Sequence, residues 1–147
     1  MCIRDRDKGI IYRPNNESLN CYVDSDFIGN WNINDARDDP STAKSRTGYI
    51  ITFGGCPVIW KSTMQSIITL SSTEAEYVAM STAMREVLPM MQLLTEFKKF
   101  GIMQNFKDTK IHCTIFEDNS GAIEIATVPK MRPRTKHINQ HLSLIHI

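Results

Sequence analysis

The sequence carries almost no excess charge of either sign. Seventeen Lys and Arg stand against sixteen Asp and Glu, a net charge of +1 over 147 residues. That excludes a protein that coats nucleic acid by bulk basicity, but leaves room for a local basic patch. No apolar run approaches the roughly 18 residues needed to span a bilayer. The N-terminus, Met1-Cys2-Ile3-Arg4-Asp5-Arg6, has none of the apolar core of a secretory signal. Cysteine is sparse: Cys2, Cys21, Cys56 and Cys113 are scattered, with no CxxC pair and no His at zinc-finger spacing. This argues against a disulfide framework or a structural zinc, and for buried free thiols in a reducing compartment. Internal repeats and low-complexity tracts are absent. What remains, 41% apolar and 22% charged residues, is the composition of a folded domain. The length suits one domain with its own core.

The two ends are set apart by their coding possibilities. Met1–Arg6 can be written ATG TGT ATA AGA GAC AGR, and Leu142–Ile147 can be written CTG TCT CTT ATA CAC ATC. Apart from a one-base offset these strings are reverse complements, as in read-through of a transposon-end sequencing adapter. Residues 1–6 and 142–147 are therefore expected to be adapter-derived tails and take no part in fold reasoning.

Between them the pattern alternates. Leu19-Asn20-Cys21-Tyr22-Val23 reads as a strand closed by Asp24-Ser25-Asp26. Asn30 to Arg46 is polar and reads as a long loop. Thr47–Phe53 and Cys56–Lys61 are β-rich runs joined by Gly54-Gly55, an antiparallel hairpin. Ile67–Leu70 reads as a further short extended run. Ser71 followed by Glu74 is a capping-box pattern. Ala75, Ala79, Ala83, Val87, Met91 and Leu94 then form a helical stripe lasting to about Phe100. Its alanine half would let the helix lie close to a sheet, and Pro89 should kink or split it. Ile111–Phe116 is another strand, and Asn119–Thr127 a short helix. Trp60 and the methionines near positions 80–91 read as core. The whole is an α/β chain: a mixed sheet with an antiparallel hairpin and one long packed helix.

Three acids occupy comparable places. Asp24 follows the first strand, Glu76 lies in the first turns of the long helix, and Asp118 follows the fourth strand. Strand C-termini are where α/β sheets present functional side chains. Gathered carboxylates repel one another without a cation, and hard oxygen donors suit Mg²⁺ or Mn²⁺. Plainer roles compete. Asp118 could cap the following helix, and Glu76 could be a first-turn acid favoured by the helix dipole. Glu74 reads as a capping residue, and Asp26 and Glu117 as solvated turn acids or outer partners of the cluster.

Five strings in order carry a resemblance: Tyr22-Val23-Asp24-Ser25-Asp26-Phe27-Ile28-Gly29, Lys44-Ser45-Arg46-Thr47-Gly48-Tyr49, Leu70-Ser71-Ser72-Thr73-Glu74-Ala75-Glu76-Tyr77, Glu117-Asp118-Asn119-Ser120-Gly121-Ala122 and Arg134-Thr135-Lys136-His137-Ile138. The chain resembles the ribonuclease H region of the Pol polyprotein of Ty1/copia-type LTR retrotransposons, from about Gly9 to Asn139. The resemblance implies a ribonuclease H-like fold over residues 19–141, truncated at its C-terminus, with residues 7–18 a linker from an upstream reverse transcriptase. Phe27 stands where the family usually has Trp.

The resemblance implies that Asp24, Glu76 and Asp118 are the catalytic, metal-binding carboxylates, with Asp26 supporting. The cofactor would be Mg²⁺ or Mn²⁺ in a two-metal site, and the substrate the RNA strand of an RNA/DNA hybrid. Lys130, Arg132, Arg134, Lys136 and His137, with Lys44 and Arg46, would contact phosphates. The reverse transcriptase domain of the same polyprotein is the expected protein partner. The setting would be cytoplasmic, in a virus-like particle, or nuclear, with no membrane and no secretion. The family's domain continues past the Lys-His-Ile string to a last helix with a fourth catalytic Asp, which this chain lacks. It should therefore bind a second metal poorly, be inactive alone, and expose an apolar patch on its sheet. A catalytically dead nucleic-acid-binding module, or a relic fragment, is the alternative.

Overall fold

The run from Leu19 alternates apolar and polar, so one face of an extended chain is apolar. In the computed structural model it forms β1, Leu19–Asp26, with Leu19, Cys21 and Val23 buried. The structure describes residues 9, 11–14, 18–34, 38–102 and 111–127. β1 pairs antiparallel with β2, Arg46–Phe53, and β2 with β3, Cys56–Met64. Gly54 and Gly55 join β2 to β3 with φ of 62° and 79°. Two consecutive positive φ values are what a two-residue hairpin turn requires, and glycine adopts them without penalty. β4, Cys113–Phe116, lies parallel to β1 on its other side, so the sheet runs β3-β2-β1-β4.

One helix, α1, covers Ser72–Lys99. Ala75, Ala79 and Ala83 have no exposed surface, and with Val87 and Leu94 they form its buried stripe. From Ala79 onward the stripe joins Leu19, Cys21, Val23, Tyr49 and Ile51 of the sheet in one core. The second helix, α2, is Ser120–Thr127 and packs on α1. No described helix is long and apolar enough to cross a membrane. The four-stranded mixed sheet with one long packed helix is a ribonuclease H-like α/β fold.

The structure refines several sequence expectations. Ile67–Leu70, expected as a short extended run, pairs with no strand of the sheet. Two of its polar groups are taken up outside the run: the Thr69 hydroxyl shares a 2.8 Å hydrogen bond with the Ser45 hydroxyl, and the Leu70 N–H donates to Glu74 Oε2 at 2.7 Å. Pro89 does not split α1. It faces solvent, while buried Val87 and Leu94 on either side hold the helix to the core. β1 and β3 run past their expected ends, so Asp24 lies within β1, opposite Gly48, not after it. Trp60 is 61% exposed rather than core. Cross-strand pairing sets Trp60, Ile50, Tyr22 and Phe116 in one row across all four strands. All four are exposed, and the Tyr22 and Phe116 rings stack at 4.8 Å. The methionines behave as expected: Met80 is buried, and Met84, Met90 and Met91 pack against the core.

Candidate metal centre

Three local features bring the acids together. First, β1 is longer than β4. The parallel pairing ends at Tyr22 and Phe116, while β1 continues to Asp26. The chain leaving β4 therefore delivers Glu117 and Asp118 beside Asp24. Second, α1 starts at a defined point. The Ser71 hydroxyl accepts from the Glu74 N–H at 3.1 Å, satisfying one of the helix's free donors. The Glu74 carboxylate turns back to Leu70 N, one residue earlier than a capping box requires. With that cap fixed, Glu76 follows in the first two turns. Third, α2 lies against the start of α1. Gly121 permits this, because a Cβ there would sit 3.2 Å from Thr73 and from Asn119 Oδ1.

The cap of α2 settles the competing role of Asp118. Asn119 Oδ1 accepts from the Ala122 N–H at 3.0 Å, and Asn119 O accepts from Ile123 N at 3.0 Å. Asn119 is therefore the cap, and Asp118 is not engaged in that role. One oxygen from each of Asp24, Glu76 and Asp118 lies within 4.8 Å of the others, the one group of this kind among the described residues. Asp24 and Asp118 are exposed, whereas Glu76 is 6% exposed. A cleft of about 310 Å³ runs beside them, lined by Tyr22, Val23, Asp24, Phe116, Glu117 and Asp118.

The electrostatics follow from the crowding. Burial, then the charge of Glu117, push the Glu76 carboxyl up to about 7, and Asp24 and Asp118 add to the shift. The Ser25 hydroxyl pulls the other way, but it forms no hydrogen bond of ordinary geometry and cannot offset the burial. Glu76 Oε2 is buried without a hydrogen-bond partner. A buried carboxylate oxygen left unpaired is costly, and a cation among the three acids would satisfy it. The donor set is all carboxylate oxygen, which fits a hard divalent ion such as Mg²⁺ or Mn²⁺ and not a thiolate-seeking metal.

Glu117 is more closely involved than its sequence position suggested. It is half-buried, its Oε1 accepts from Asn119 N at 3.1 Å, and its Oε2 is buried without a partner. Burial raises its pKa, and Asp118 and Asp24 raise it further. The signal was present in the strand's alternation: Ile111, Cys113, Ile115 and Glu117 share one parity, the less exposed side of β4.

Among the described residues, the other expected site residues are not part of the cluster. Asp26 ends β1 opposite Arg46, and its carboxylate folds over the turn against Gly29, where any Cβ would collide with it. Arg46 lies two rungs beyond Gly48, the partner of Asp24. Lys44 is half-buried after the turn Pro40–Ala43, its N–H bonded to Ser41 O. Lys130, Arg132, Arg134, Lys136 and His137 lie outside the described residues, as do both terminal hexapeptides.

Comparison with known proteins decides the family. The chain is 33% identical over 121 residues, 82% of its length, to the retrovirus-related Pol polyprotein from transposon TNT 1-94 of Nicotiana tabacum. It is 35% and 34% identical, over 90% and 88% of its length, to the corresponding Pol polyproteins of transposons RE2 and RE1 of Arabidopsis thaliana. The chain belongs to the Pol polyproteins of Ty1/copia-type transposons. It spans about 8% of the length of these relatives. No family model matches it.

Proposed function

We propose that this segment of a transposon Pol polyprotein is its ribonuclease H region, which hydrolyses the RNA strand of an RNA/DNA hybrid with divalent metal. The observation that supports this best is the meeting of Asp24, Glu76 and Asp118 within 4.8 Å, with a buried, unpartnered oxygen of Glu76 among them. Asp24, Glu76 and Asp118 would hold Mg²⁺ or Mn²⁺. The bound ion would supply a nucleophilic water and stabilise charge on the phosphate.

The chain's own residues have separable tasks. Asp24 and Asp118 face solvent, where a phosphodiester can approach. Glu76 forms the buried wall, so its charge is exposed to little competing water. Among the described residues the cleft is open, which suits a polymer substrate. Selection of RNA would rest on contacts to 2′-hydroxyls, and phosphate contacts by basic residues would set register without reading sequence.

The test is cleavage of an end-labelled RNA/DNA hybrid in Mn²⁺ by the chain with its flanking polyprotein sequence restored. Loss of cleavage in Asp24→Asn supports the reading. Cleavage equal to wild type in that variant overturns it. Salt-dependent hybrid binding that ignores divalent metal would instead establish a non-catalytic nucleic-acid-binding module.

A further inference from the structure

A set of buried polar side chains links β2, the end of β3 and α1, and the metal reading does not use it. Ser45, Thr47, Gln65 and Thr69 are each 5% exposed or less. Gln65 follows directly on β3 and connects three elements. Its N–H donates to Ser45 O at 2.9 Å, just before β2. Its side-chain Nε2 donates to Thr47 Oγ1 of β2 at 3.1 Å and to Ala75 O of α1 at 2.9 Å. Its Oε1 is buried without a partner. The amide orientation is fixed by its surroundings, because turning Oε1 toward Ala75 O would oppose two acceptors.

The acceptor matters more than the count of bonds. The carbonyl of Ala75 belongs to the peptide group whose nitrogen is that of Glu76. A peptide group is rigid and planar, so holding its oxygen fixes the plane from which the Glu76 backbone departs. The carbonyl has a second lone pair, and the bond from Gln65 therefore does not compete with the helix ladder. We infer that Gln65 is a positioning residue for the metal centre: its buried amide clamps the Ala75–Glu76 peptide to β2 and so sets where the Glu76 carboxylate meets Asp24 and Asp118. This rests on the metal reading above.

A hard divalent ion holds its oxygens at about 2 Å and tolerates little displacement when the ion is Mg²⁺. Hydrogen bonds made directly to a ligating side chain are worth about 10–100-fold in metal affinity, and a clamp on the ligand's own peptide is expected at the lower end of that range. Gln65→Met keeps the shape of the side chain and removes the donor. Its unpaired Oε1 also disappears, so the variant need not lose much stability. Thr69→Val is the structural control: it is equally buried and loses the 2.8 Å bond, but that bond runs to Ser45 and not to α1.

Mn²⁺ affinity of the full chain, measured by calorimetry where each variant is folded by circular dichroism, is expected to fall about tenfold or more in Gln65→Met. It should stay within twofold of wild type in Thr69→Val. Equal affinity in Gln65→Met and wild type overturns the inference, and so does an equal fall in Thr69→Val, which would mean general loosening. If wild-type binding is itself unchanged by Asp24→Asn, the metal reading fails instead. Should Gln65→Met not fold, nitrogen-15 spectra of the wild type decide the matter. The Gln65 side-chain amide is expected to be protected from exchange and to shift with the Glu76 amide on adding Mg²⁺. Exchange as fast as that of exposed Gln92, or no shift, contradicts the clamp.

Discussion

Folding the chain without metal should become harder as the pH rises, and Glu76 gives the size of the effect. Its carboxyl moves from an ordinary value of 4.5 to about 7 because burial and neighbouring acids oppose its charge. The folded state therefore holds the proton more tightly than the unfolded state. Folding is undisturbed below 4.5, loses stability as the pH rises between 4.5 and 7, and carries the full cost above 7. That interval corresponds to about 3 kcal/mol at 1.36 kcal/mol per pH unit. The exposed side of the site, at Asp24 and Asp118, lets solvent screen part of it, so about 2 kcal/mol is expected. Glu117, also raised, acts in the same direction. Asp39, held low chiefly by its bond to Ser41, changes charge below this window. The assay is urea unfolding at pH 5 and pH 8 with chelator present and thiols reduced. At about 4 °C per kcal/mol the same difference lowers the melting temperature by about 8 °C. Glu76→Gln should flatten the profile, and Mn²⁺ should restore stability at pH 8 but much less at pH 5. Stability that climbs from pH 5 to pH 8, or an unchanged profile in Glu76→Gln, would refute the reasoning.

Other perturbations separate scaffold from site. Asn119→Ala removes the cap of α2, costs about 1 kcal/mol in urea unfolding, and should also weaken Mn²⁺ binding, since Asp118 precedes the cap. Ala83→Leu puts a large side chain where α1 meets the sheet with no exposed surface; overpacking of about 1–3 kcal/mol is expected in the same assay. Trp60→Ser should change stability by no more than about 0.5 kcal/mol, yet reduce binding of a hydrophobic dye and raise solubility, because Trp60 is exposed in an apolar row.

Most of the scaffold was legible because its signals are local. The Gly54-Gly55 turn, the cap at Ser71 and the alanine stripe each specify backbone geometry or a buried face within a few residues. What was not legible depends on neighbours distant in sequence. Thr69 in the run Ile67–Leu70 is tied to Ser45, 24 residues earlier, a partner the run itself does not announce. Pro89 would interrupt an isolated helix, but core contacts on both sides keep α1 continuous. Trp60 looks like a core residue by type, and only the sheet's register shows that it faces outward with Ile50, Tyr22 and Phe116.

The site divides in the same way. Asp24, Glu76 and Asp118 are candidates from their expected places at element ends and from the resemblance of the surrounding strings, and the fold brings their carboxylates together. Spacing alone could not choose between cap and ligand for Asp118, because Asn119 beside it caps equally well by type. Glu117 reads from its position as a turn acid or an outer partner of the cluster, and the parity of β4 favours the second, since it continues the less exposed side. Gln65 gave no sequence signal: a glutamine after a strand is ordinary until its amide is seen facing Ala75 O.

Anomalous diffraction from a crystal of the chain soaked in Mn²⁺ tests the central claim most directly. The account predicts a peak about 2 Å from carboxylate oxygens of Asp24, Glu76 and Asp118, lost in Asp24→Asn. A peak elsewhere, or none at Mn²⁺ levels that saturate binding in solution, would contradict it.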